Sequence, residues 1–389
     1  MFHIQTFNTI SDKGLSQLPA EKYAINDNTQ QPDAILLRSY DLKITDVSAN
    51  VKAVGRAGAG VNNVPVKELT QRGIPVFNTP GANANAVKEL VIASLFMVSR
   101  HLYEGLQYAK QLPQDLEKME AMIETEKKRF KGSELVGKTL GVVGLGAIGV
   151  KVANAALALG MRVLGYDPTM SVQRAWELSA QVEQAKSLQA LLFESDFLTV
   201  HVPLMEQTKQ LFNANSLQYM RKNAVLLNFS RAQIIDEQAV LYALQTRALG
   251  LYVTDFPHPV FYDCPYVYAF PHLGASTEEA EELCAIRVTQ QVQDFLESGH
   301  IRSAVNFPDV ELARVLGSHR LTVANANIPN MVAQVSNYLA SAGVNILHMI
   351  NQSRGEVAYT LIDMDQPIQP AVLKEMQKVH GILMVRAIT

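Results

Sequence analysis

Residues 137–149 read Gly137-Lys-Thr-Leu-Gly-Val-Val-Gly-Leu-Gly-Ala-Ile-Gly149. Leu140 to Val143 is a short apolar run rich in β-branched residues and bounded by glycine, the pattern of a buried strand. Gly144, Gly146 and Gly149 stand at G-x-G-x-x-G spacing, and Val150 to Leu159 has the apolar spacing of a helix. Each glycine has its own reason. Gly144 permits the tight strand-to-helix turn, Gly146 lets a pyrophosphate approach the backbone, and Gly149 lets the helix pack close to the strand. The helix start offers N–H groups and a partial positive charge to phosphates. A second apolar stretch, Met161 to Tyr166, ends at Asp167, 18 residues past Gly149. A carboxylate near that spacing hydrogen-bonds ribose hydroxyls and repels a 2′-phosphate, so the stretch predicts a dinucleotide site that favours NAD over NADP.

The strand–helix alternation continues outward from this motif. Downstream, Phe197 to Pro203 is a strand that ends in His201 and Pro203. Ala224 to Phe229 is another, which reaches Ser230 and Arg231. Leu249 to Thr254 reaches Asp255, and Val267 to Phe270 reaches Pro271 and His272. Polar and charged side chains thus collect just past strand C-termini, where open α/β sheets bind ligands. Upstream, strands at Met1 to Thr9, Ala34 to Arg38, Val51 to Arg56 and Pro75 to Asn78 predict a smaller parallel α/β domain. Asn83 to Lys110 reads as one long helix with Asn83 or Asn85 as its cap, and Thr277 to Ser298 as a second long helix that returns the chain to the first domain. Residues 317–389 follow a βαββαβ order.

The expected architecture is therefore α/β. Two Rossmann-like doubly wound parallel-sheet domains are followed by a ferredoxin-like C-terminal domain. The boundaries are 1–98 completed by 288–316 for substrate, 99–287 for the dinucleotide, and 317–389 for the tail. The catalytic cleft is expected between the first two.

Composition narrows the class. A net charge of -3 gives no basis for binding nucleic acid or an anionic membrane. Two cysteines, Cys264 and Cys284, exclude a disulfide framework and fit a reducing cytoplasm. There is no basic segment followed by an apolar run at the N-terminus, and no uncharged apolar stretch reaches the ~18 residues a bilayer requires. A cytoplasmic protein without a metal site is expected.

Hydride transfer to a nicotinamide needs a base for the proton the substrate loses, a cation for the negative charge at the reacting group, and a nicotinamide close by. His272 and Arg231 are residue types suited to the first two tasks. The run Arg56-Ala-Gly58-Ala59-Gly60 can present consecutive N–H groups as an anion nest.

Four stretches together resemble the D-2-hydroxyacid dehydrogenases, in particular the branch that oxidises 3-phosphoglycerate in serine biosynthesis. They are Val54-Gly-Arg-Ala-Gly-Ala-Gly-Val-Asn-Asn-Val64, Gly144-Leu-Gly-Ala-Ile-Gly149, Asn228-Phe-Ser-Arg-Ala232 and Pro271-His-Leu-Gly-Ala-Ser-Thr277. The tail resembles the regulatory ACT domain. The resemblance implies that His272 is the acid/base and that Arg231 holds the carboxylate. It implies cofactor contacts at Gly144, Gly146, Ala147, Ile148, Gly149, Asp167, His201, Pro203, Thr208, Phe229, Ser230, Asp255 and Gly274, with Asp255 at the nicotinamide carboxamide. Arg38, Arg56, Gly58, Ala59 and Gly60 join Arg231 and His272 as substrate residues. The basic cluster Lys127, Lys128 and Arg129 is like one that reaches a neighbouring subunit's phosphate in a homodimer or homotetramer. Asn325, Asn327 and Asn345 match the serine-binding edge of ACT domains, although Asn330 stands where glycine is usual.

One departure matters. The register places Val260 where the family has the glutamate that pairs with the histidine, and the nearest acid, Asp263, lies three residues on. The implied activity is NAD-dependent oxidation of 3-phosphoglycerate to 3-phosphohydroxypyruvate. The alternatives are another D-2-hydroxy acid such as 2-hydroxyglutarate, or a catalytically weak, NAD-sensing binding protein like the corepressors built on this fold.

Overall fold

The computed structural model describes residues 1–25 and 31–388. The chain divides into two compact units, Met1–Asn83 with Glu278–Thr389, and Ala84–Thr277. Residues 98/99 and 287/288, the expected boundaries, lie inside helices Ala84–Ser99 and Glu278–Ser298.

The first unit begins with a sheet of five parallel strands: β1 (Phe2–Phe7), β2 (Tyr23–Ile25), β3 (Ala34–Leu37), β4 (Ala53–Arg56) and β5 (Val76–Phe77). Their order is β2-β1-β3-β4-β5. β3 is buried along its whole length, as expected for a parallel strand covered on both faces. On one face Leu36, Ala53 and Phe77 pack with Cys284, Val288, Val292 and Phe295 of helix Glu278–Ser298. Gly55 makes this possible, because a Cβ there would sit 2.7 Å from Val288 and 2.8 Å from Leu36. On the other face Ile35, Leu37 and Val54 pack with Val51, Leu69 and Ile74.

The second unit holds seven parallel strands: β6 (Thr139–Val143), β7 (Arg162–Tyr166), β8 (Glu183–Gln184), β9 (Phe197–Val200), β10 (Val225–Asn228), β11 (Leu251–Thr254) and β12 (Val267–Ala269). Their order is β12-β11-β10-β9-β6-β7-β8. The order reverses between β6 and β9, and a crevice outside the carboxyl ends at such a point is where doubly wound sheets bind ligands. The single helix expected over 83–110 is instead two, Ala84–Ser99 and Leu102–Ala109. His101 adopts the left-handed conformation at φ 50°, and the Ser99 carbonyl accepts the Ser133 N–H at 2.8 Å. That contact takes the carbonyl out of the helical ladder, so the helix stops there.

The remainder of the first unit is an antiparallel sheet of β13 (His319–Ala326), β14 (Ile346–Arg354), β15 (Val357–Met364) and β16 (Ile382–Ile388), in the order β14-β15-β13-β16. With helices Met331–Ser341 and Pro370–Gln377 it forms the expected βαββαβ arrangement. Leu321, Val323, Ile362 and Met364 face those helices. Residues of the opposite parity, Ala324, Val357, Tyr359 and Leu361, join the cluster around helix Glu278–Ser298. β15 is therefore buried throughout. On this second face Arg320 and Asp363 form a fully buried bidentate pair, Nε to Oδ1 at 2.7 Å and Nη2 to Oδ2 at 2.9 Å. Arg320 also donates to the carbonyls of Ser298 and Leu312. No helix among the described residues is long and apolar enough to cross a membrane.

Candidate active site

β6 delivers Gly144 at φ 89°, a conformation that favours glycine, and helix Ala147–Ala158 starts at once. The three glycines do three different things. A Cβ on Gly144 would press on the His201 backbone at 2.8 Å, and one on Gly149 would lie 1.9 Å from the Gly144 carbonyl. A Cβ on Gly146 would meet nothing within 4 Å. The open space is thus at the one glycine of the three that leaves its backbone free for a close approach, as a pyrophosphate would require. Asp167, just past β7, accepts the Leu145 N–H at 2.8 Å through Oδ2 and the Thr169 N–H at 2.8 Å through Oδ1. Oδ1 also accepts the Thr169 hydroxyl at 3.0 Å, so the acid is fixed beside the glycine turn with a lone pair of Oδ2 left for a ribose hydroxyl. Gly149→Ala should push the helix off the strand, cost about 1–3 kcal/mol and weaken NADH binding about tenfold or more. Fluorescence titration and a thermal melt would check both.

His201, at the end of β9, holds Nε2 2.9 Å from Thr199 Oγ1, while its buried Nδ1 has no partner. Burial pushes its pKa down to about 3, so the folded chain keeps it neutral. An unfolded chain takes up that proton below about pH 6.5. Stability should then fall with acidification between those two values, by up to about 1.4 kcal/mol per pH unit. Denaturant melts at several pH values should show this slope in the wild type and a flatter one in His201→Gln. Thr208 ties its own loop, donating to the Pro203 carbonyl at 2.6 Å and accepting the Met205 N–H at 2.8 Å.

At the end of β10, Asn228 organises the next turn. Its Nδ2 donates to the Arg231 carbonyl at 2.9 Å and its Oδ1 accepts the Ser230 N–H at 3.1 Å. Ser230 Oγ donates to the Val202 carbonyl, and Phe229 is buried, stacked with Phe270. Arg231 folds back with Nη1 2.6 Å from the Ser230 carbonyl. Burial lowers its pKa from the ordinary arginine value, yet no carboxylate among the described residues lies within ion-pair distance of it. A half-buried guanidinium without a counter-ion is a place prepared for an anion.

Asp255, at the end of β11, clamps the loop that carries His272. Oδ1 accepts the Leu273 N–H at 2.7 Å and Oδ2 the Gly274 N–H at 2.8 Å. Burial raises the Asp255 pKa, against the pull of those N–H groups and of the His272 ring. A Cβ on Gly274 would lie 2.8 Å from Oδ2, so glycine is what lets the clamp close. His272 is exposed and left-handed at φ 57°, and its N–H donates to the Phe270 carbonyl at 2.9 Å. Val260 packs with the apolar cluster that contains Tyr252 and Phe261. No carboxylate among the described residues pairs with the His272 ring.

In the first unit, Arg56 at the end of β4 donates through Nε to the Arg38 carbonyl at 3.0 Å. Its guanidinium lies across Gly58 (φ 144°), where a Cβ would overlap Nη1 at 1.8 Å. The carbonyls of Gly58 and Ala59 are taken by the Thr79 N–H and by Asn78 Nδ2. Planar trans peptides then turn the N–H groups of Ala59 and Gly60 the other way, as an anion nest requires. Arg38 is already paired with Glu281 at 2.6 Å. Lys127 and Arg129 are exposed and paired with Glu124 and Glu126. In the tail, Asn325 is buried with Nδ2 on the Ala326 carbonyl, and Asn327 Nδ2 donates to the Gly355 carbonyl at 3.0 Å. The Asn345 N–H donates to Asp365 at 3.0 Å. Asn330 takes φ 73°, a conformation asparagine tolerates better than most residues.

A family model for the D-isomer specific 2-hydroxyacid dehydrogenase, NAD binding domain, matches residues 92–274. A hydroxypyruvate reductase from Thermotoga maritima is 34% identical over 272 residues, covering 67% of this chain and 83% of that protein. The chain belongs to the D-isomer specific 2-hydroxyacid dehydrogenases. It is also similar to a D-3-phosphoglycerate dehydrogenase from Synechocystis, 38% identical over 297 residues, which covers 73% of this chain and 50% of that one. The chain spans about half the length of this relative, and 64% of the corresponding Bacillus subtilis protein. Among solved structures, the NAD+-bound 3-phosphoglycerate dehydrogenase of Entamoeba histolytica superposes with a TM-score of 0.62 at 25% identity, covering 78% of this chain and 98% of that one.

Within this member of the family, two structural roles were not read from the sequence. Asn228 organises the Arg231 turn, and its place at a strand end inside the Asn228-Phe-Ser-Arg run was the available signal. Glu281 neutralises Arg38, and a helix start rich in glutamate gave no indication of which acid would do so.

Proposed function

We propose that the chain is an NAD-dependent dehydrogenase that oxidises 3-phosphoglycerate to 3-phosphohydroxypyruvate. The observation that carries this is Arg231, a half-buried cation with no carboxylate partner among the described residues, at a strand end in the same unit as the glycine turn. The Arg231 fork holds the substrate carboxylate and the charge developing on the reacting oxygen. His272 takes the hydroxyl proton. Gly146, helix Ala147–Ala158 and Asp167 would hold NAD, which when bound supplies the hydride acceptor. A phosphorylated substrate brings a second anion, for which Arg38 and Arg56 are the suited cations.

A second reading, an unphosphorylated 2-hydroxy acid such as 2-hydroxyglutarate, is favoured by one observation. Arg38, Lys127 and Arg129 already have carboxylate partners. NADH formation from each acid separates the two, and no signal from 3-phosphoglycerate sinks the first. The first reading includes L-serine at the edge marked by Asn325, Asn327 and Asn345, assembly as a homodimer or homotetramer, and a cytoplasmic location. An NADH signal indifferent to added serine would remove the first of these, and a monomer in sedimentation the second.

A further inference from the structure

Among the described residues no carboxylate pairs with the imidazole of His272, yet its ring must be aimed. Val260, at the position where a carboxylate would serve, is committed to an apolar cluster. What touches the imidazole instead is Phe256, with ring centroids 5.2 Å apart at 71°, an edge-to-face arrangement. That geometry is the attractive one between aromatic rings, the positive edge of one meeting the negative face of the other. Phe256 is held in turn. Its N–H donates to Thr254 Oγ1 at 3.1 Å, and its neighbour Asp255 grips the backbone that follows His272 through the N–H groups of Leu273 and Gly274. The chain therefore fixes His272 at two levels, the backbone by a carboxylate and the ring by an aromatic wall.

We propose that Phe256 is a positioning residue for His272 and does by ring contact what an acid partner does elsewhere. The proposal rests on His272 being the proton acceptor. Phe256 does not touch the reacting atoms. It narrows the χ angles that the exposed imidazole samples, so that Nε2 or Nδ1 stays within reach of a substrate hydroxyl. The charged group facing the imidazole is Asp255, whose oxygens are already engaged by backbone. The contact thus restricts orientation without adding a charge.

The test compares Phe256→Leu, which keeps bulk without a ring, and Phe256→Tyr, which keeps the ring. NADH production from the better 2-hydroxy acid is followed across pH. Phe256→Leu should lower kcat about tenfold, with KM for NAD unchanged and the pH profile retained in shape, and Phe256→Tyr should restore kcat to within about twofold. In parallel, carbon-13 labelling of histidine reports the imidazole directly. The His272 signal, identified by its loss in His272→Asn, should carry a ring-current displacement in the wild type and in Phe256→Tyr that disappears in Phe256→Leu. Wild-type kcat in Phe256→Leu, or equal losses in the two variants, overturns the positioning role alone. A wild type that oxidises no 2-hydroxy acid overturns the functional reading as well, and that result is distinct because it needs no variant.

Discussion

Asp363→Ala should cost about 3–5 kcal/mol of folding stability, read as a lower midpoint in urea. Asp363 and Arg320 are both fully buried, and the pair is closed by two hydrogen bonds. Removing the carboxylate leaves a guanidinium in the interior with only the Ser298 and Leu312 carbonyls and the His300 ring for company. The cost is that of an uncompensated charge, so it should largely vanish in the double variant Arg320→Met, Asp363→Leu, where no charge remains. Burial works to raise the Asp363 pKa, but the Arg320 contacts outweigh it and the value is lowered overall. A carboxyl held below its unfolded value contributes stability that is present above the ordinary carboxylate range. That contribution is lost as pH falls through the folded value. The wild type should therefore lose stability in acid more steeply than the apolar double variant.

His272→Asn should lower kcat for 2-hydroxy acid oxidation by about 10²–10⁴, with NADH binding within about twofold of the wild type. Asparagine is the informative choice because the position is left-handed at φ 57°, which asparagine tolerates better than alanine or glutamine. The loop and its Asp255 clamp then stay in place, and the loss reports the missing base. Steady-state kinetics with a fluorescence titration of NADH would separate the two quantities. An unchanged kcat would assign proton removal to another group.

The dinucleotide half of the site was legible because each of its requirements is a backbone requirement. Gly144 and Gly149 are crowded by neighbouring backbone, and Gly146 leaves its backbone open to approach, a division of labour that the spacing alone predicts. Residues past strand ends were legible for a related reason: parallel strands in a doubly wound sheet all point the same way, so Arg231, Asp255 and His272 share one edge. What stayed hidden depends on side chains distant in sequence. The long helix over 83–110 broke because the Ser99 carbonyl is claimed by Ser133, more than thirty residues away. Helical periodicity carries no trace of such a competitor. The pairing of Arg38 with Glu281 and the contact of Phe256 with His272 are likewise products of tertiary folding. Val260 could be seen to be the wrong residue for a carboxylate pair, but not what would take over the aiming of the ring.

The double burial of β15 bears on how the tail can evolve and be handled. Its far face completes the cluster that holds Phe295 and Phe307, with Tyr359 near both rings and its hydroxyl on the Gly299 carbonyl. A module that hangs from a linker can be trimmed away and the remainder kept. Here, cutting after residue 316 would strip the cover from helix Glu278–Ser298 and leave Phe295 and its neighbours as a sticky apolar wound. The tail is grafted on, so its loss would be felt by the first sheet as a loss of its own core.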